Sequence, residues 1–127
     1  MSSYEKELTE AWANRQGPAV FTTMNKSGLV NSVYVSSIDL DFDVDGSFVI
    51  ADNYFTKTNE NIDEGSKGSV LFITKDFISY QAKGEISCHT SGSAYEFMKE
   101  INPSRFPGHK AVVLHISSLY KGSTQLL

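Results

Sequence analysis

The chain has 127 residues, with fifteen Asp and Glu against eleven Lys and Arg, three His, one Cys and a net charge of −4. Such a length specifies one domain, 1–127, able to bury about two-thirds of its unfolded surface around a single core. Mild acidity without a basic arm argues against nucleic acid as a partner, no apolar run approaches a membrane span, and one cysteine precludes an internal disulfide.

The opening residues Met1-Ser2-Ser3-Tyr4-Glu5 lack the charged and apolar regions of a signal peptide, so a cytoplasmic location is expected. Tyr4, Leu8, Ala11 and Trp12 recur at helical spacing within Ser3 to Gln16, and Gly17-Pro18 is the stop. Apolar runs at Ala19 to Met24 and Leu29 to Val35 flank Asn25-Lys26-Ser27-Gly28, which predicts a hairpin with the glycine in its left-handed position. A second hairpin is expected from Ile38–Val44 through Asp45-Gly46 to Ser47–Ala51. Asp41-Phe42-Asp43-Val44-Asp45-Gly46 also matches the start of a calcium-binding EF-hand loop. Strict alternation of Ile38, Leu40, Phe42 and Val44 with aspartates instead marks a half-buried strand, and an EF-hand needs a helix on each side.

The segment Phe48 to Ile62 carries the most chemistry. An apolar strand ends in a polar turn that feeds a helix, with Thr56 placed as N-cap and Lys57 and Thr58 in the first turn. Free backbone amides, the positive end of the helix dipole, a lysine and a hydroxyl together suit a phosphate. By residue type alone, a solvated helix start reads the same way.

Strands follow at Ser69–Thr74 and Tyr80–Ile86. Ala94, Phe97, Met98 and Ile101 give a helix opened by a Ser93/Glu96 capping box and ended by Pro103, and Ala111 to Ile116 forms the last strand. Strands dominate and helices are peripheral, which fits an antiparallel β-barrel with Greek-key connections. Cys88 reads as a packing residue, because no electropositive neighbourhood marks a reactive thiol. His89, His109 and His115 lack metal-ligand spacing and read as structural or surface residues, so no metal is expected. Nucleophile elbow, dinucleotide fingerprint and P-loop are all missing from the sequence.

The order and spacing of these segments resemble the small FMN-binding split barrels related to pyridoxamine 5'-phosphate oxidase. The resemblance runs from the opening helix through the Ala19–Gly28 hairpin, Leu29–Val33, Phe48–Asp52, the Thr56-Lys57-Thr58 turn with Asn61-Ile62, Ser69–Thr74 and Tyr80–Ile86, most of the chain. It departs from the pattern where many relatives carry a proline after the hairpin glycine, since Leu29, Val30 and Asn31 stand there.

The resemblance implies a mainly β fold, a six-stranded antiparallel Greek-key split barrel with FMN as cofactor. Lys57 and Thr58 would hold the flavin phosphate, and Asn31, Ser32 and Val33 would lie along the phosphate, ribityl chain or ring. Backbone groups near Ala51, Asp52 and Asn53 would meet the polar edge of the ring, with Phe55 packed against it. By composition alone, Asn31 and Ser32 read as a solvated strand face and Phe55 as a core seal. The family also implies a homodimer with flavin at the subunit interface, in which the tail Ser123-Thr124-Gln125-Leu126-Leu127 could cover the partner's flavin. The expected activity is an FMN-dependent oxidoreductase or electron carrier serving a small-molecule or protein donor and acceptor, with no catalytic side chain assigned. The alternative is a non-catalytic flavin-binding or β-barrel interaction module. Ending at Leu127 without the basic C-terminal substrate-binding region, the chain is not expected to be a true pyridoxamine 5'-phosphate oxidase.

Overall fold

In the computed structural model, which describes residues 3–42 and 46–127, the chain forms α1 (Ser3–Ala13), β1 (Ala19–Met24), β2 (Val30–Val35), β3 (Ile38–Asp41), β4 (Ser47–Ala51) and α2 (Lys57–Asp63). It continues as β5 (Gly68–Ile73), β6 (Ser79–His89), α3 (Ser93–Ile101), β7 (Ala111–Lys121) and β8 (Thr124–Gln125). Asp43, Val44 and Asp45, which carry the expected end of the third strand and half of the Asp45-Gly46 turn, lie outside the described residues, as do Met1 and Ser2.

All pairings are antiparallel, in the order β2-β1-β5-β6-β7-β4-β3, with β8 added beside β7. The sheet curls into a half-barrel with β2 and β3 at its two ends, so Ser36-Ser37 carries the chain from one end to the other. Among the described residues, the eight strands exceed the six expected. The short strand β3 joins one end, and Gly122, at φ 56°, turns the chain back so that Thr124 and Gln125 pair with Lys121 and Tyr120.

Alternation directs one face of each strand into the barrel. Phe21, Phe48, Ile50, Val70, Ala82, Val112 and Leu114 form its interior, and α1 seals it with Leu8, Ala11 and Trp12. Trp12 meets Phe48 and Phe72 edge-on, at centroid distances of 4.9 and 5.0 Å, and its indole nitrogen donates to Asp39 at 2.9 Å. Each such ring contributes about 1.5–3 kcal/mol through burial alone. β4 is buried on both faces, because Val49 and Ala51 face outward beneath Met98 of α3.

Local differences from the sequence reading have physical causes. Helix α1 stops at Ala13 rather than Gln16, because Gln16 donates its backbone N–H to Ile73 and the Arg15 guanidinium stacks 3.9 Å over Trp12. The Ser93/Glu96 capping box does not form: Gly92, at φ 88°, is the N-cap and Ser93 is already helical. Thr56 caps α2 by position, without a side-chain bond. Cys88 is exposed rather than packed, although partial burial still pushes its thiol pKa up, away from reactivity. The tail folds onto its own chain, with Leu126 donating to the Leu119 carbonyl at 2.8 Å and packing against the core.

Candidate functional site

Three elements converge where the half-barrel is open. β2 presents Asn31, Val33 and Val35 on one face and Val30, Ser32 and Tyr34 on the other, as strand geometry requires. β4 ends at Ala51, tied to the β2–β3 connection by its N–H to the Ser37 carbonyl at 2.9 Å. The chain then turns through Asp52–Thr56 into α2.

That turn is held from within. Asp52 is 3 % exposed, accepts from the Phe55 N–H at 3.0 Å and the Asn59 side chain at 2.9 Å, and has the Lys110 ammonium 4.0 Å away. Asn59 also donates to the Phe55 carbonyl, while its Oδ1 is buried without a partner among the described residues. Such an orphan acceptor is rare in a folded protein and suits a hydroxyl or water brought to the site.

Helix α2 is docked on the strands by two polar contacts. The buried Thr58 hydroxyl accepts from the Asn31 amide at 3.3 Å, and Asn61 donates to the buried Thr23 hydroxyl at 3.0 Å. Lys57, the first residue of α2, is exposed.

Between these elements lies a cleft of about 280 Å³, lined by Val33–Ser37 of the β2 end, Ala51, Asn53, Tyr54, Phe55 and Phe106. Its walls are apolar and aromatic. Phe55 packs on Phe21 of the core with centroids 6.0 Å apart, and Tyr54 meets Phe106 edge-on at 6.2 Å. Phe106 comes from the loop after α3, which Asn53 fixes: the Asn53 and Asn102 amides bond reciprocally at 3.0 and 2.9 Å, and the Gly108 N–H donates to Asn53 Oδ1 at 2.9 Å.

The expected residues therefore divide. Val33, Ala51, Asn53 and Phe55 share the cleft, Asn31 and Thr58 join beside it, Lys57 opens α2, and Asp52 lies buried behind the turn. Ser32 stands apart, since its hydroxyl points to the opposite face of β2 and bonds Thr22 at 2.7 Å. Sequence reasoning missed Tyr34, Tyr54 and Phe106. The first two adjoin residues it chose, whereas Phe106 lies more than fifty positions from the Asn53 that positions it, with no local signal.

The sequence profile of the pyridoxamine 5'-phosphate oxidase family matches residues 5–121. The chain belongs to that family. An uncharacterized protein of Methanocaldococcus jannaschii is 29 % identical over 101 residues, covering 77 % of this chain and 68 % of that protein. Among solved structures, HupZ of Group A Streptococcus superposes with a TM-score of 0.80 at 20 % identity, over 98 % of this family member and 97 % of that chain. An FMN-binding protein from Syntrophomonas wolfei superposes at 0.76 and 22 % identity, covering 94 % and 89 % of the two chains. At these identities the superpositions show the fold, a split barrel of the same type. Among the described residues of this family member no helix is long and apolar enough to cross a membrane.

Proposed function

We propose that this protein binds FMN in the Val33–Phe106 cleft and uses it to pass electrons between a donor and an acceptor, either small molecules or proteins. The observation that carries the reading is the joint placement of an apolar, aromatic cleft and the exposed Lys57 end of α2, linked through the Asn31–Thr58 contact. The donor set fits the three parts of the cofactor. Val33, Ala51, Phe55 and Phe106 offer apolar walls to a planar ring, the Ser36 and Ser37 hydroxyls offer partners to the ribityl chain, and Lys57 offers a cation to the phosphate. Membership in the pyridoxamine 5'-phosphate oxidase family and the likeness to a protein described as FMN-binding support the same reading. A bound flavin supplies hydride and electron transfer, and the chain supplies binding, orientation and shielding from water.

A second copy of the chain would complete the site. At about 280 Å³ the cleft is slightly below the usual range of about 300–1,000 Å³ for small-molecule pockets, and it is open on one side. Tyr34 lines its rim and is 77 % exposed, on the same outer sheet face as Val30 at 63 % and Met24 at 50 %, with the hydrogen-bonded Ser32 and Thr22 between them. Several large apolar side chains exposed on one sheet face favour an interaction surface, and a homodimer across it would close the cleft.

Titration of the apo-protein with FMN and with riboflavin tests the phosphate assignment. Lys57→Ala is expected to weaken FMN binding by about 1.5–3 kcal/mol and to leave riboflavin affinity unchanged. Equal losses for both ligands would remove Lys57 from the site.

A further inference from the structure

On the outer side of the sheet, beside α3, lies a second cavity of about 210 Å³. Val49, Val113 and Ala94 give it an apolar lining, and Asp41, Ser47, Ser93, His89 and His115 a polar one. It shares no lining residue with the cleft described above.

The step in pairing between β6 and β7 sets which side chains face this way. Beyond it, Glu85, Ser87 and His89 lie opposite His115, Val113 and Ala111. Opposed residues of an antiparallel pair share a face. Val113 and Ala111 pack against Met98 of α3 rather than into the barrel, so Ser87, His89 and His115 stand on that outer face with them.

Ser87 Oγ lies 2.7 Å from His115 Nε2 and 2.8 Å from His89 Nε2. A hydroxyl has one proton to donate, so with both rings neutral it donates to one imidazole and accepts the Nε2–H of the other. The first ring is then a base on the serine oxygen, and the second fixes the direction of the hydroxyl. Nucleophile, base and orienting group within hydrogen-bond reach are the arrangement that activates serine, and it is recognised by geometry rather than by place in the chain. Ser87 is half-buried, and three residues around it, His89, His115 and Val113, line the cavity. The start of α3 supplies a further wall through Ser93 and Ala94. Its N-cap, Gly92, makes no side-chain bond, which leaves first-turn N–H groups able to stabilise an oxyanion.

We propose that Ser87, with His89 and His115, forms a second reactive site that hydrolyses small, uncharged carboxylic esters through an acyl-serine. Asp41 in the lining and a net charge of −4 disfavour anionic substrates. The cavity is smaller than the usual range of about 300–1,000 Å³ for small-molecule pockets, which selects a short acyl chain. Ser87 Oγ adds to the ester carbonyl and its proton passes to the basic imidazole. The bond from carbonyl carbon to leaving oxygen breaks, and that oxygen takes the proton. Water, deprotonated by the same imidazole, then splits the acyl-serine, so that ester and water become acid and alcohol with Ser87 restored.

The test uses the full chain with p-nitrophenyl acetate and with a fluorophosphonate that labels activated serines. Expected are a burst of about one p-nitrophenolate per chain and a label on the peptide containing Ser87. Ser87→Ala should lose both. His89→Gln and His115→Gln should slow acylation unequally, the base on the order of a hundredfold and the orienting ring less. Cys88→Ala, which removes the neighbouring exposed thiol, should keep burst and label. Thermal melts of each variant separate loss of fold from loss of chemistry: a merely structural hydroxyl would lower the melting temperature without any burst or label in the wild type to lose. No burst in the wild type, a burst retained in Ser87→Ala, or an acyl group found on histidine or Cys88 would overturn the assignment. The readouts involve no flavin, so they stand apart from the outcome of the FMN titration.

Discussion

Asn53 shows how one side chain can position a wall that is remote in sequence. Its amide meets Asn102 in two hydrogen bonds and accepts a third from Gly108, and Asn102 is only 7 % exposed. Removing one partner leaves buried donors and acceptors unmatched, at about 1–3 kcal/mol for each group. Asn53→Ala is therefore expected to lower the urea midpoint and also to weaken FMN binding, because Phe106 loses its anchor. The double variant with Asn102→Ala should be no worse than the single variants added together, by a coupling of about 0.5–3 kcal/mol. Strict additivity in a double-mutant cycle would show that the pair is not a unit. The resemblance placed Asn53 beside the expected site, and the structure puts it in the cleft lining. Its clamp on Asn102 was not legible in the sequence, because the partner lies far along the chain and an asparagine pair has no sequence signature.

At the scale of elements, periodicity located the strands well. The Asn25–Gly28 hairpin forms as expected, with Gly28 at φ 85° and the Asn25 side chain accepting from Ser27 and Leu29. Period-two alternation also set which side of β2 Val33 occupies, yet it put Ser32 on the other side from the cleft, a consequence the resemblance alone did not expose. β4 has no alternation to read, since one face meets the barrel and the other meets α3. The register shift between β6 and β7, where Lys83 and Gly84 pair with Ser118 and Ile116 and skip Ser117, was likewise silent in sequence. There, a Cβ on Gly84 would fall 1.7 Å from the His115 carbonyl oxygen, so the two strands can approach only around a glycine. Gly84→Ala is expected to destabilise by several kcal/mol or to abolish folding, whereas Gly28→Ala meets no neighbour and bears only the strain of its positive φ. Thermal melts of the two variants compare these outcomes, and a Gly84→Ala protein as stable as the wild type would contradict the bulge assignment. At the alkaline end, burial first and then the bond to Glu7 push the Tyr80 pKa from 10.0 to about 12. The folded state thus keeps this phenol protonated longer than the unfolded chain does, and stability falls as pH rises through that window. Tyr80→Phe should flatten that part of the pH–stability curve, seen in urea midpoints measured across it.

For the whole molecule, the sheet order sets the opening between β2 and β3, and the opening is where the cleft, α2 and the exposed face of Tyr34 and Val30 come together. The fold class was visible in the segment order, and four residues named from the resemblance, Val33, Ala51, Asn53 and Phe55, line one cleft. Within one chain, β8 pairs with β7 and Leu126 packs against the core, pairing that a terminal dileucine does not announce. A dimer, if formed across the outer face of β2, should dissociate in Tyr34→Glu and lose FMN affinity in parallel, as read by analytical ultracentrifugation and flavin titration. A variant that stays dimeric with full affinity would place the interface elsewhere. The most direct single measurement is the visible absorption spectrum of the purified protein, with the chromophore released by denaturation and identified. The expected result is FMN at about one per chain. A colourless protein that also fails to take up added FMN would contradict the assignment of the cleft.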